Sequence, residues 1–135
     1  MRYILLFTST AAIFFLIDMI WLGWLAKDFY WDRLDGILTK GYVNWAAAGL
    51  FYTIYILGII YFGTWSGIAA KSVKVALLNG ALFGFFCYAT YDLTNLSLIK
   101  EWPVKIVVVD ILWGTFLTGT TAFFSCWVAK KWLAF

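Results

Sequence analysis

Three aspartates, Asp18, Asp92 and Asp110, stand inside long apolar runs and are the side chains best placed to do chemistry. A charged residue within a membrane span costs about 2.5–3.5 kcal/mol on insertion scales, which makes it a functional candidate by default. At 1.5 Å per helical residue, Asp18 lies ~13 Å inside the end of its run at Lys27. Asp92 lies ~12 Å before Lys100, and Asp110 ~10 Å past Pro103. All three therefore share one level, in the half of the membrane opposite the termini. No lysine or arginine falls clearly within a run to neutralise them. Adjacent anions in a medium of low dielectric repel strongly, so at least one must hold its proton or a cation must bind.

Helical phase supplies neighbours for these carboxyls. Tyr88, Asp92 and Asn95 follow an i, i+4, i+7 pattern with Tyr91 beside them, and Asp110, Gly114, Thr118, Thr121 and Ser125 occupy one narrow sector. Such a small-residue face lets helices approach closely. Trp21 and Trp113 each follow an aspartate by one turn, where an indole N–H could donate to it or the ring could wall a pocket. Asn44 begins the second run on the aspartates' side, with Tyr55 roughly in phase but deeper. The expected ligand- or ion-binding set is Asp18, Asp92, Asn95, Asp110, Tyr88, Asn44, Trp21 and Trp113, and no catalytic residue is identifiable. The donors on offer are hard oxygens, suited to Na⁺, Mg²⁺, Ca²⁺ or a proton rather than zinc, copper or iron. A single metal ion, if held, would take Asp18, Asp92 and Asp110. With no histidine in the chain, neither haem nor zinc is expected. The plainer alternative is that each aspartate is satisfied by a tyrosine, tryptophan or threonine of a neighbouring helix.

The elements that must position these groups are apolar. Hydrophobic residues make up 64% of the 135-residue chain and charged residues 13%, against roughly half and a quarter in an average soluble domain. So small a soluble domain could not hide that much apolar surface, and lipid is the expected surrounding. Runs at 3–25, 42–63, 75–96 and 104–128 are each long enough to cross a hydrocarbon core about 30 Å thick. Trp24, Tyr42, Trp45, Trp65, Trp102 and Trp127 lie near their ends, as interfacial aromatic belts require. A cleaved signal peptide fits the first run poorly, because the run is too long and contains Asp18. The expected fold is an all-α membrane protein, a four-transmembrane-helix bundle forming one domain over 1–135. Between the first two runs, segment 27–41 carries Tyr30, Trp31, Leu34, Ile37 and Leu38 at helical spacing and Asp28, Asp32 and Asp35 on another face. This predicts a short helix on the membrane surface.

Four spans put both termini on one side, with Arg2, Lys71, Lys74, Lys130 and Lys131. The other side holds Lys27, Arg33, Lys40, Lys100 and Lys105 together with Asp28, Asp32, Asp35 and Glu101. Basic residues are thus tied, and the termini are placed in the cytoplasm of a bacterial inner membrane as an expectation. The net charge of +3 comes from residues near helix ends and does not suggest nucleic-acid binding. Cys87 and Cys126 fall at different depths, where a disulfide between them is not expected.

The string Y-D-L-T-N-L-S-L-I-K-E-W-P-V-K at 91–105, followed by V-D-I-L-W-G at 109–114 and preceded by D-x-x-W at 18–21, resembles domain of unknown function 2177. That is a bacterial family of predicted four-helix membrane proteins. The resemblance covers essentially the whole chain and implies the four-span fold, but no activity. The first run also reads I-D-M-I-W-L-G at 17–23, close to the fourth run's V-D-I-L-W-G. Both aspartates sit near the same surface although the spans run oppositely, so the match is a shared Asp–Trp device rather than an inverted repeat.

Three functions remain open. The first is binding or transport of a proton, cation or small polar ligand. The comparison is with small multidrug transporters, which work as dimers around one membrane-embedded acid, so a homodimer is one expected arrangement. The second is a membrane-embedded enzyme acting on a lipid or isoprenoid. The third is a non-catalytic subunit of a larger membrane complex.

Overall fold

The four apolar runs become four long helices because a backbone in hydrocarbon must satisfy its own polar groups, and a helix does so within one segment. The computed structural model describes residues 1–37 and 42–135, with Trp31 by its backbone alone. Spans α1 (Arg2–Leu25), α3 (Trp45–Ala69), α4 (Val73–Leu98) and α5 (Val104–Trp132) contain 24, 25, 26 and 29 residues. At 1.5 Å per residue that is ~36–44 Å, ample for a bilayer core. The short α2 (Lys27–Leu34) sits between the first two spans. No strand occurs among the described residues.

Local chemistry sets the boundaries. Asn44 caps α3 by accepting a hydrogen bond from the Ala47 N–H at 3.1 Å, so this span starts at Trp45 rather than at the expected Tyr42. It runs past the expected Gly63 to Ala69, and Lys71 turns the chain at φ 53°. Pro103 stands just before α5, where its missing N–H is not needed. α2 is shorter than its periodicity predicts. It ends at Leu34, Asp35 is extended, and Gly36 at φ 90° takes a left-handed conformation that suits glycine. Ile37 therefore lies beyond the helix. Leu38, Lys40 and Gly41, and the side chain of Trp31, lie outside the described residues.

The core is built on residues four apart. Leu6, Thr10, Phe14 and Asp18 form the buried stripe of α1, and Ala76, Gly80, Gly84 and Asp92 that of α4. Both face α5, the most buried helix. Its inward side includes Gly114, Leu117, Thr118, Thr121, Ala122, Ser125 and Cys126. α4 and α5 approach so closely that a Cβ on Gly84 would strike the Gly114 carbonyl and Thr118, and one on Gly80 would lie 2.5 Å from the Ala122 Cβ. α3 joins them at a widened turn over Ile59–Thr64, where Gly63 meets Ala122 and Gly80. α1 ends in a second widened turn, Trp21–Leu25, closed by Ala26 N–H to Trp21 C=O at 2.8 Å.

α2 turns Leu34 inward against Trp102, Ile106 and Val107 at the start of α5, leaving Asp28, Asp32 and Asp35 exposed. Trp24, Tyr42, Trp45, Trp65 and Trp127 are exposed at helix ends, as belts require. Trp102 is the exception, only 8% exposed.

The close seam gives a contrast between two glycines. Gly84→Ala is expected to destabilise the protein by at least about 1–3 kcal/mol, because the facing atoms include backbone. Gly49→Ala, with nothing within 4 Å of the added Cβ, is expected to be neutral or to stabilise by about 0.5–1 kcal/mol. Thermal melting of both variants in detergent checks the difference.

Candidate functional site

Asp18 and Asp92 face inward because each extends a buried stripe of residues four apart, and Asp110 lies on the matching sector of α5. Asp18 is 5% exposed and Asp92 fully buried, while Asp110 is half-buried. The three interact electrostatically, Asp18 with Asp110 and Asp92 with Asp110. Asp110 thus lies within electrostatic reach of both other carboxyls. No three of the described His, Cys, Asp and Glu side chains stand close enough together to hold one metal ion. The arrangement is a close Asp92–Asp110 pair with Asp18 held apart.

The two D-x-x-W segments explain the separation. α1 and α5 run antiparallel, so a tryptophan one turn after each aspartate is carried toward the level of the other helix's aspartate. The Trp113 indole N–H donates to Asp18 Oδ1 at 3.4 Å. The Trp21 indole N–H donates to the Tyr30 hydroxyl at 3.4 Å, and Tyr30 donates to Asp110 Oδ1 at 2.7 Å. The indoles stack, centroids 4.3 Å apart and planes 9° from parallel. Each tryptophan thus serves the opposite carboxyl, one directly and one through a phenol.

Asp92 has no comparable partner. Among the described residues neither of its oxygens accepts a hydrogen bond from an N–H or hydroxyl, and the buried Trp102 indole N–H also lacks an acceptor. Asp92 lies beside the Trp102 indole and within carboxyl–carboxyl hydrogen-bonding reach of Asp110. Beneath it, the Tyr88 ring fills the notch at Gly114, where any Cβ would collide with the ring. Tyr88 lies within electrostatic reach of Asp18, Asp110, Tyr30 and Tyr55, which puts it at the centre of the site.

Of the expected residues, Asp18, Asp92, Asp110, Tyr88, Trp21 and Trp113 come together. Asn44 does not. It is exposed and engaged as the α3 cap. Asn95 is half-buried, three residues beyond Asp92. Sequence reading missed Tyr30 and Trp102. Periodicity puts Tyr30 on the apolar face of the surface helix and Trp102 in an aromatic belt, and the polar tip that each ring carries is the signal for a buried partner. Burial together with its bond to Asp110 raises the Tyr30 phenol above the ordinary range.

A family described as a predicted membrane protein family (DUF2177) matches residues 3–127. No curated protein matches the chain, and no solved structure does.

Tyr30 generates a pH-dependent prediction. Its folded-state pKa is raised, so the folded chain keeps a phenolic proton that the unfolded chain releases near pH 10. Its contribution is therefore present below about pH 10 and lost as pH rises further. Tyr30→Phe is expected to lower stability near neutrality by about 1–3 kcal/mol and to flatten the alkaline decline. Unfolding measured from pH 7 to 12 checks both.

Proposed function

The chain belongs to the DUF2177 family of predicted membrane proteins, and from that premise we propose that it binds and transports a proton or a small hard cation at its intramembrane carboxylates. One observation carries the reading: Asp92 is fully buried beside Asp110, and among the described residues neither of its oxygens accepts a well-formed N–H or hydroxyl hydrogen bond. A bare carboxylate in low dielectric is costly enough that the group neutralises or takes a counter-charge. Among the described residues no lysine or arginine supplies one, and the polar groups beside Asp92 are Asp110 and the Trp102 indole. A proton or a desolvated cation is the simplest occupant, and exchanging it against either side of the membrane is transport.

The surroundings fit that role. The Trp21 and Trp113 rings stack beside the carboxyls, Tyr88 lies within electrostatic reach of Asp18 and Asp110, and Tyr30 donates to Asp110 from α2. We place both termini in the cytoplasm of a bacterial inner membrane, on the strength of the acid-free basic cluster of Arg2, Lys71, Lys74, Lys130 and Lys131.

A second reading, an enzyme working on a lipid or isoprenoid, is favoured by the smaller of two open apolar grooves along the α1–α3 seam, of about 260 Å³. The larger, of about 530 Å³, lies toward the terminal end, away from the carboxyls. The smaller is lined by Tyr52, which lies within electrostatic reach of Asp18. A lipid tail there would bring its head toward a carboxyl. Comparing lipid extracts of cells with and without the protein separates the readings, because an enzyme leaves an altered species.

In proteoliposomes, Asp92→Asn and Asp110→Asn are each expected to lower gradient-driven uptake of protons or Na⁺ at least tenfold. Tyr91→Phe, altering an exposed ring, is expected to leave it unchanged. Wild-type uptake by Asp18→Asn, Asp92→Asn and Asp110→Asn alike would refute transport at this site.

A further inference from the structure

α5 continues from Asp110 toward the terminal side of the bundle as a file of small and hydroxyl residues, and the other helices bring hydroxyls to the same file. Tyr55 on α3 shares a 2.6 Å hydrogen bond with Thr118. Thr10 on α1 shares one of 2.6 Å with Ser125. Thr118, Thr121, Ser125 and Thr10 are all fully buried. Upward, the Tyr55 and Tyr88 rings lie 6.2 Å apart, and Tyr88 borders the carboxyls. From Asp110 to Ser125 the file descends ~22 Å, and Lys130 is ~7 Å further.

A file of small residues alone indicates close helix packing. The second observation is that its middle member is left open. A threonine within a helix readily donates to the carbonyl four residues back. Thr8, Thr10, Thr53 and Thr115 all do so here, at 2.7–3.0 Å. Thr121 does not, and its fully buried hydroxyl has no partner among the described residues. The fully buried hydroxyl of Thr64, on the widened turn of α3, is in the same condition. An unmet buried hydroxyl costs about 1–3 kcal/mol. Thr118 and Ser125 flank Thr121 at three and four residues on one face, ~5–6 Å away, a span that one water bridges.

We propose that the hydroxyls of Tyr55, Thr118, Thr121, Ser125 and Thr10, linked by water at Thr121, form a proton path from the carboxylate site to the terminal side. The path rests on the reading of those carboxyls as a proton or cation site. At each oxygen an incoming proton forms a new O–H bond while the oxygen's former proton passes to the next acceptor. One proton leaves the carboxylate site through Asp18, which lies within electrostatic reach of Tyr55, and one is delivered near Ser125. Every hydroxyl is regenerated and needs only to rotate before the next passage, so no oxidant, reductant or co-reactant is required. The ionisable groups near the path are Asp18, Asp92 and Asp110, the phenols of Tyr30, Tyr55 and Tyr88, the Cys87 thiol beside Tyr55, and, at the terminal end, Cys126 with Lys130.

The test is proton flux into vesicles containing the full chain and a trapped pH-sensitive dye, with potassium and valinomycin clamping the potential. The carboxylic-acid C=O infrared band is titrated in parallel. Thr118→Val and Thr121→Val, which keep shape and remove the hydroxyl, are expected to slow flux at least tenfold while the band still titrates. Thr121→Ser, and Thr115→Val away from the file, are expected to conduct as wild type does. Wild-type flux in Thr121→Val overturns the path. So does wild-type protein that conducts no faster than empty vesicles, and a band that still titrates then leaves the carboxylate site standing without the path. Should Thr121→Val fail to fold, Ser125→Ala replaces it under the same criteria.

Discussion

Carboxyl groups placed in a low-dielectric interior without a neighbouring cation impose the constraint from which the rest of this structure follows. Each must find donors, hold a proton or receive a counter-ion, and the bundle treats its three aspartates differently. Asp18 receives an indole N–H and Asp110 a phenol O–H. Asp92 receives neither. That inequality, more than the presence of three acids at one level, separates a binding site from a set of satisfied packing contacts. Two of the carboxyls are satisfied by neighbouring aromatic donors, and the third is open.

The crossed Asp–Trp pair is a consequence of antiparallel geometry. On a single helix, a tryptophan three residues past an aspartate sits about one turn further along. When two such helices run oppositely with aspartates at similar heights, each tryptophan is displaced toward the other helix's carboxyl. Stacking of Trp21 on Trp113 then locks the two segments together and encloses the acids. The same short motif in both spans therefore needs no duplication to explain it, since it is a mutual clamp.

Close approach of α4 and α5 is the other requirement. Gly80, Gly84 and Gly114 remove the side chains that would hold these helices apart, and the notch at Gly114 admits the Tyr88 ring beneath the carboxyls. In lipid there is no hydrophobic drive between apolar helices, so packing of small residues and interhelical hydrogen bonds must supply the association. The Tyr55–Thr118 and Thr10–Ser125 bonds tie α3 and α1 to that same central helix.

Much of this was legible in the residues. Run length and apolarity determined four helices, because a membrane leaves the backbone no other way to satisfy itself. Counting along each helix placed the three aspartates at one level, and phase put Asp110, Gly114, Thr118, Thr121 and Ser125 on one face. Helical counting carries no information about which donor lies across an interface. Only the tertiary structure decided that Trp113 serves Asp18, that Tyr30 reaches down from α2 to Asp110, and that Trp102 turns inward beside an unpaired Asp92. It also decided that Asn44 is spent on capping α3, and that Gly36 ends α2 a turn early. Level and face follow from the rise and twist of one helix, whereas hydrogen-bond partnership depends on how two helices cross.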